Sequence, residues 1–216
     1  MTLVAGTATT TAVALLVAIP LGTVIAIYLS EFASHRLRET VKPILELLGA
    51  VPTVVFGYFA LLVVTPLLQR IYPDLPGFNM LSAGLVMGVM IIPYISSVAE
   101  DAMRAVPMHL REGSYAMGAT KLQTALRVVV PGAFSGLAAA YILGISRAIG
   151  ETMVVLMVAG GAAAIPRGIF DSVRPMPASI AAEMGEAPFR SGHYHALFAT
   201  GIVLFAITLA SMPIAL

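Results

Sequence analysis

The chain has 216 residues, 59% of them hydrophobic and only 11% charged, with a formal net charge of +1 and no cysteine. A soluble domain carries roughly a quarter of its residues charged, so a water-soluble globule is excluded. The near-neutral charge gives no footing for nucleic acid, and the lack of cysteine excludes disulfides and thiolate metal sites. The apolar runs are continuous rather than alternating. In lipid the backbone must satisfy itself, so these runs form helices and not a barrel.

Taken in chain order, Met1–Ser30, Leu47–Gln69, Leu75–Ala99, Val128–Ser146 and Ala196–Leu216 contain no Asp, Glu, Lys or Arg. A span needs about 20 residues at a rise of 1.5 Å each. The runs therefore predict helices near 8–30, 43–68, 79–99, 127–159 and 195–216. The fourth is expected to be the longest and the only one to hold charge. The expectation is an all-α polytopic membrane protein with about five transmembrane helices in a single domain, 1–216. Pro20, Pro52, Pro66 and Pro93 interrupt spans and tend to kink them. The spacings Gly84-x-x-x-Gly88 and Gly132-x-x-x-Gly136 allow close helix contact.

Basic residues orient the spans. Arg36, Arg38 and Lys42 fall in the connector 31–42, and Arg104, Arg111, Lys121 and Arg127 in 100–127. Cytoplasmic loops are rich in Lys and Arg, which assigns both connectors to the cytoplasm and 160–194 to the outside. The N-terminus is then outside. No basic region precedes the first apolar run as in a signal peptide, so the expectation is that a preceding helix is missing.

Three constellations could carry function. Segment 100–131 is too polar to span and too long for a turn. Pro107 suits a helix start, and Gly118 permits a sharp bend between two short helices. Leu110, Tyr115, Met117 and Leu122 offer apolar contacts, while Arg111, Glu112 and Lys121 are expected to face water. The segment reads either as a surface for a soluble partner or as an ordinary interfacial loop. Arg147 and Glu151, four apart, share a helix face inside a span. A charge there costs about 2.5–3.5 kcal/mol, so a partner or a watery cavity is required. Arg147 offers a planar fork suited to phosphate, and the alternative is a purely structural ion pair. His193-x-His195 is a possible metal pair but reads more simply as a surface loop. Glu183 and Glu186 read as a solvated face, and Glu46 as an interfacial residue. No G-x-x-x-x-G-K-[ST] phosphate loop occurs, so no ATP site, other cofactor or metal site is expected.

Glu112-Gly-Ser-x-x-x-Gly118, nine residues and then Val128-x-Val130-Pro131 resembles the EAA loop of bacterial ABC importer permeases. Gly113 and Ser114 stand where that pattern has alanines, and Val128 and Val130 where it has isoleucine and leucine. The stretch Gly144-Ile-Ser-Arg147-Ala-Ile-Gly150-Glu151-Thr-Met-Val-Val-Leu resembles the fifth-helix signature of phosphate permeases of the Pst system. Ile27-Tyr-Leu-Ser-Glu31-Phe, Gly49-Ala-Val-Pro52 through Gly57 and Arg104-Ala-Val-Pro107 also resemble it. The run Ile180 to Ala187 favours the PstC-type subunit. The resemblance implies a type I ABC importer permease core (MetI-like) lacking the family's first helix, in the bacterial inner membrane. It implies alternating access, with Arg147 and Glu151 in a phosphate pathway and Glu112, Gly118 and Pro131 in an ATPase-coupling element. The implied partners are a second, PstA-like permease, PstB-like ATPases, a PstS-like binding protein, phosphate and lipid. The alternatives are a permease for molybdate or sulfate, an intramembrane enzyme, and a membrane sensor without transport.

Overall fold

The computed structural model describes residues 1–211, and apart from one isolated bridge every regular element among them is helical. In order these are α1 (Thr2–Phe32), α2 (His35–Gly49), α3 (Thr53–Ile71), α4 (Met80–Arg104), α5 (Met108–Ala116), α6 (Lys121–Gly132), α7 (Phe134–Ile149), α8 (Met153–Val158), α9 (Met176–Glu183) and α10 (Gly192–Ser211). Helices α1, α3, α4 and α10 are each long and apolar enough to cross a membrane. Helices α6 and α7, bent by 75° at Ala133, form a fifth crossing if the pair is one span. The expected last span begins as α10, and its residues 212–216 lie outside the described residues.

Two expected helices are divided. The 43–68 span is α3 alone, preceded by an amphipathic α2 that begins eight residues earlier than expected. Ser34 Oγ accepts from the Leu37 N–H and starts α2. Pro52 is extended (φ −56°, ψ 132°), and the residue before a proline is disfavoured in the helical region, so the chain turns between α2 and α3. The 127–159 span is cut at Ala133 and again at Gly150–Thr152. It is therefore not the longest helix; α1 is, at 31 residues, and α1 and α4 also carry charge near their ends.

The prolines act in two ways. Pro20 and Pro93 run inside α1 and α4. Pro66 and Pro131 each follow a π-helical turn, Ala60–Val64 and Ala125–Val129. A proline lacks the N–H for its turn and its ring crowds the carbonyl four residues back. A turn closed by i→i+5 bonds gives that carbonyl room.

Helix α4 is the centre of the bundle, with α1 and α7 packed on it. A Cβ on Gly84 would stand 2.5 Å from Val13 Cγ1, and one on Gly88 2.8 Å from the Ala14 carbonyl oxygen. A Cβ on Gly136 would strike the Ala102 methyl, so both small-residue spacings mark close contacts. Gly22 and Gly144 clasp Ile95, which is fully buried. Because the obstacle at Gly88 is backbone, it cannot yield by changing rotamer. Gly88→Val is expected to lower stability by about 1–3 kcal/mol. Thermal unfolding in detergent checks this, with Gly77→Ala, which meets nothing within 4 Å, as the neutral reference.

Candidate functional site

Helix α7 ends at Ile149, and the chain turns through Gly150–Thr152 into α8. Glu151 therefore lies beyond the helix that carries Arg147, and the two do not share one helix face as expected. They meet across the break. Arg147 Nη1 lies 2.6 Å from Glu151 Oε2. The other carboxylate oxygen accepts from the backbone N–H groups of Met153 and Val154, at 3.1 and 3.3 Å. Glu151 thus caps the positive end of α8 while holding the guanidinium. Its side chain is 2% exposed and that of Arg147 is 30% exposed. The cation is the member of the pair that an incoming group can reach.

Tyr94 also belongs to the site, although no motif or spacing marks it. Its ring centroid lies 5.8 Å from the Arg147 guanidinium, within cation–π reach. Its hydroxyl donates to the Gly49 carbonyl at 2.8 Å, at the last turn of α2. Tyr94 therefore joins the charged pair to the α2–α3 elbow. A cavity of about 390 Å³ opens there, lined by Glu46, Gly49, Tyr94, Ser97 and Leu143 among others. Arg147 is in the last turn of α7, about 20 Å along the helix from Phe134, so the pair sits at the end of α7 remote from the α5–α6 segment.

A second constellation gathers near the C-terminal end of α4. Glu100 is fully buried, with Lys42 Nζ at 2.8 Å and Arg38 Nε at 2.8 Å, the latter an ion contact without hydrogen-bond alignment. Arg104 Nη1 lies at 3.8 Å. Lys42 also binds Asp101. Burial opposes the Lys42 ammonium, but its hydrogen bonds and the two carboxylate charges outweigh this and hold its pKa above the ordinary range. These contacts moor α2 to α4.

The 100–131 segment forms α5 and α6, with Gly118 at the bend in the left-handed region (φ +83°) and open space around it. Thr120 and Gln123 make a capping box that starts α6. Glu112, Lys121 and Pro131 are exposed, but Arg111 is not. It turns inward because α4 ends above it: its guanidinium donates to the Met103 carbonyl at 2.8 Å, to the Val106 carbonyl, and to Glu31 at 3.0 and 3.4 Å. The apolar side chains point outward instead, with Met108 63%, Met117 89% and Leu122 55% exposed.

At the other face, Glu183 is no solvated residue. It binds Arg174 at 2.6 Å and His193 at 3.0 Å. His193 is committed to that carboxylate, and no cluster of three or more His, Asp or Glu suited to a metal occurs among the described residues. Glu186 is exposed. Asp171 accepts the backbone N–H groups of Arg167 and Gly168, which hold its carboxyl below the usual range.

Residues 18–215 match the family described as binding-protein-dependent transport system inner membrane component. The chain belongs to this family. It is 37% identical to the probable ABC transporter permease protein YqgH of Bacillus subtilis, over 94% of this chain and 66% of that protein. It is 35% identical to the phosphate transport system permease protein PstC of Haemophilus influenzae, over 94% of this chain and 70% of that protein. It therefore spans about two thirds of the length of these relatives. An inward-facing structure of the MetNI methionine ABC transporter superposes with a TM-score of 0.65 at 22% identity, covering 98% of this chain and 90% of that one. A bacterial transporter that imports the acidic polysaccharide alginate gives 0.69 at 17% identity, covering 99% and 77%. These two share the fold. A member of this family with these apolar helices is a multi-pass inner-membrane protein.

Tyr94→Phe keeps the ring over Arg147 and removes the bond to Gly49. It is expected to cost about 1 kcal/mol, and Tyr94→Leu about 0.5–2 kcal/mol more through the lost cation–π contact. Unfolding midpoints of the two variants in one detergent measure the difference.

Proposed function

We propose that the chain is the transmembrane permease subunit of an ATP-driven phosphate importer. The observation that carries this reading is 34–36% identity, over 94–98% of the chain, to three proteins named phosphate transport system permease protein PstC. The charged end of the bundle, with 31–42 and α5–α6, faces the cytoplasm. There Met108, Met117 and Leu122, exposed around the Gly118 bend, dock on a separate ATPase subunit. Glu112 and Pro131 frame the same element. A second permease subunit completes the pathway, and an extracytoplasmic binding protein delivers the anion to the 160–194 side. ATP-driven closure of the ATPases moves α5–α6, and the spans alternate between inward and outward openings.

Arg147 is the anion's station in the pathway. Its fork offers paired donors to phosphate oxygens. Glu151 holds the fork in place and keeps the site from binding the anion too firmly for release. Because Glu151 also caps α8, exchanging the two residues would set a cation against the N–H groups of Met153 and Val154, so a charge swap cannot test the pair. Paired neutralisation can. A buried charge left alone is costly, whereas removal of both partners is often tolerated. Arg147→Gln alone is expected to impair folding and uptake. Arg147→Gln with Glu151→Gln is expected to restore assembly while phosphate uptake into proteoliposomes stays at least tenfold low. Recovery of uptake by the double variant would leave the pair a structural clamp. Competition by molybdate and sulfate in the same assay, weaker than by unlabelled phosphate, separates phosphate from other oxyanions.

Gly118 tests the docking element. A side chain at φ +83° strains the bend whatever the free space, and aspartate adds charge to an apolar face. Gly118→Asp is expected to insert normally and to lose most of the co-purifying ATPase. Unchanged co-purification and unchanged transport-linked hydrolysis would contradict the assignment.

A further inference from the structure

Arg111 has no part in the docking face proposed above, since its side chain is only 10% exposed and points away from it. The guanidinium serves three separate elements. It belongs to α5, donates to the Met103 carbonyl at the end of α4 and to the Val106 carbonyl in the turn that follows, and binds the Glu31 carboxylate in the last turn of α1. The Met103 carbonyl lies in the last turn of α4 and the Val106 carbonyl in the turn just after it; carbonyls at a helix end lack partners within the helix, and a cation there also suits the helix dipole. Glu31 is itself prearranged. The closing turn of α1 is π-helical, Ser30 Oγ donates to Glu31 Oε1 at 2.8 Å, and the carboxylate side chain is 6% exposed. A fork with this set of acceptors is fixed in position and in plane, which a lysine could not match.

We infer that Arg111, through Glu31, is the positioning residue that carries displacement of α5–α6 into α1 and α4, the helices at the centre of the bundle. This rests on the coupling role proposed for α5–α6. Exposed Met117 and Leu122 receive the push. Ser114 Oγ and Thr124 Oγ1, 2.8 Å apart, tie α5 to α6 so that the two move together. Arg111 is the polar link from that unit to α1 and to the end of α4. Both charges are nearly out of water, so neither can relax into solvent when the unit shifts. The link resists sliding as well as separation. Val106 rests against Gly132 at the same level, an apolar contact that resists compression but not shear. The lateral component of the motion therefore passes through the ion pair.

The test uses the complete transporter, with its ATPases and binding protein, in nanodiscs and proteoliposomes. Arg111→Lys keeps the charge and loses the fork. Glu31→Gln keeps the shape and both carbonyl bonds and loses the charge. Two quantities are read per assembled complex: the factor by which loaded binding protein stimulates ATP hydrolysis, and anion imported per ATP. Both variants are expected to retain the ATPase in full stoichiometry and to hydrolyse ATP at the basal rate. Stimulation is expected to fall at least fivefold, and anion per ATP with it. If both ratios are unchanged in assembled complexes, even with lowered yield or melting temperature, the pair is only structural and the inference is overturned. Loss of the ATPase from both variants would also overturn it, because Arg111 would then belong to docking. Failure of the coupling reading looks different: Gly118→Asp would leave ATPase binding and stimulation intact. The stimulation ratio does not depend on which anion is carried, so an error in the substrate leaves the test standing.

Discussion

A carboxylate removed from water needs a cation or several N–H donors, and three of them set where the helices of this bundle meet. Glu100 draws Arg38 and Lys42 of α2 onto α4. Glu31 draws α5 onto the end of α1. Glu151 draws Arg147 back across the break after α7 and fixes the start of α8. Deleting one partner from such a pair costs roughly 3–5 kcal/mol, well beyond the usual effect of a surface change. Apolar packing between α1, α4 and α7 is close because glycines line it, but it is chemically uniform. The charged contacts give that packing its register.

The same pairs explain what could be read from the sequence. Charge-free runs located α1, α3, α4 and α10, because lipid imposes a simple rule on composition. The breaks were harder to see. Pro131 and Pro66 were visible, but their local remedy, a widened turn, has no residue signature. The bend at Ala133 falls on an alanine, a good helix former. Arg111, a charged residue in a polar connector, is expected to face water and does not. Its partner, Glu31, stands 80 residues away, and no periodic pattern reaches that far. Arg147 and Glu151 were found by their rarity within a span. Their geometry departs from the expectation because a spacing of four suggests a continuous helix, and Gly150 ends it. Tyr94 has no sequence signal because an aromatic in an apolar helix is ordinary. Only the positions of Gly49 and Arg147 in space give it a role.

The two charged constellations are thus joined by helices with different freedoms. Helix α4 carries Glu100 at one end and Tyr94 in its interior, so it touches both. Helix α7 carries Arg147 at its far end but meets α5–α6 only through the 75° bend at Ala133. On the proposed coupling role, displacement entering at α5 would have a stiff route through α4 and α1 and a jointed route through α7. A site such as Arg147, fed by both, is where their difference would be felt.

The π-helical turns have a consequence for sequence change in this chain. Each spends one residue more than an α-turn, so the side chains that follow are rotated by about 100° from the face an unbroken helix would present. Ala60–Val64 and Ala125–Val129 therefore separate stretches whose inward faces are set independently. Loss of a single residue inside either turn would close it to α geometry and swing the segment beyond by about a quarter of a circle. Thr65, now buried, would move off the packed face, and the proline beyond would again crowd a carbonyl with nowhere to go. Ordinary helix interiors in this bundle can exchange residues one for one. Within α3 and α6, these two turns are where chain length itself is counted.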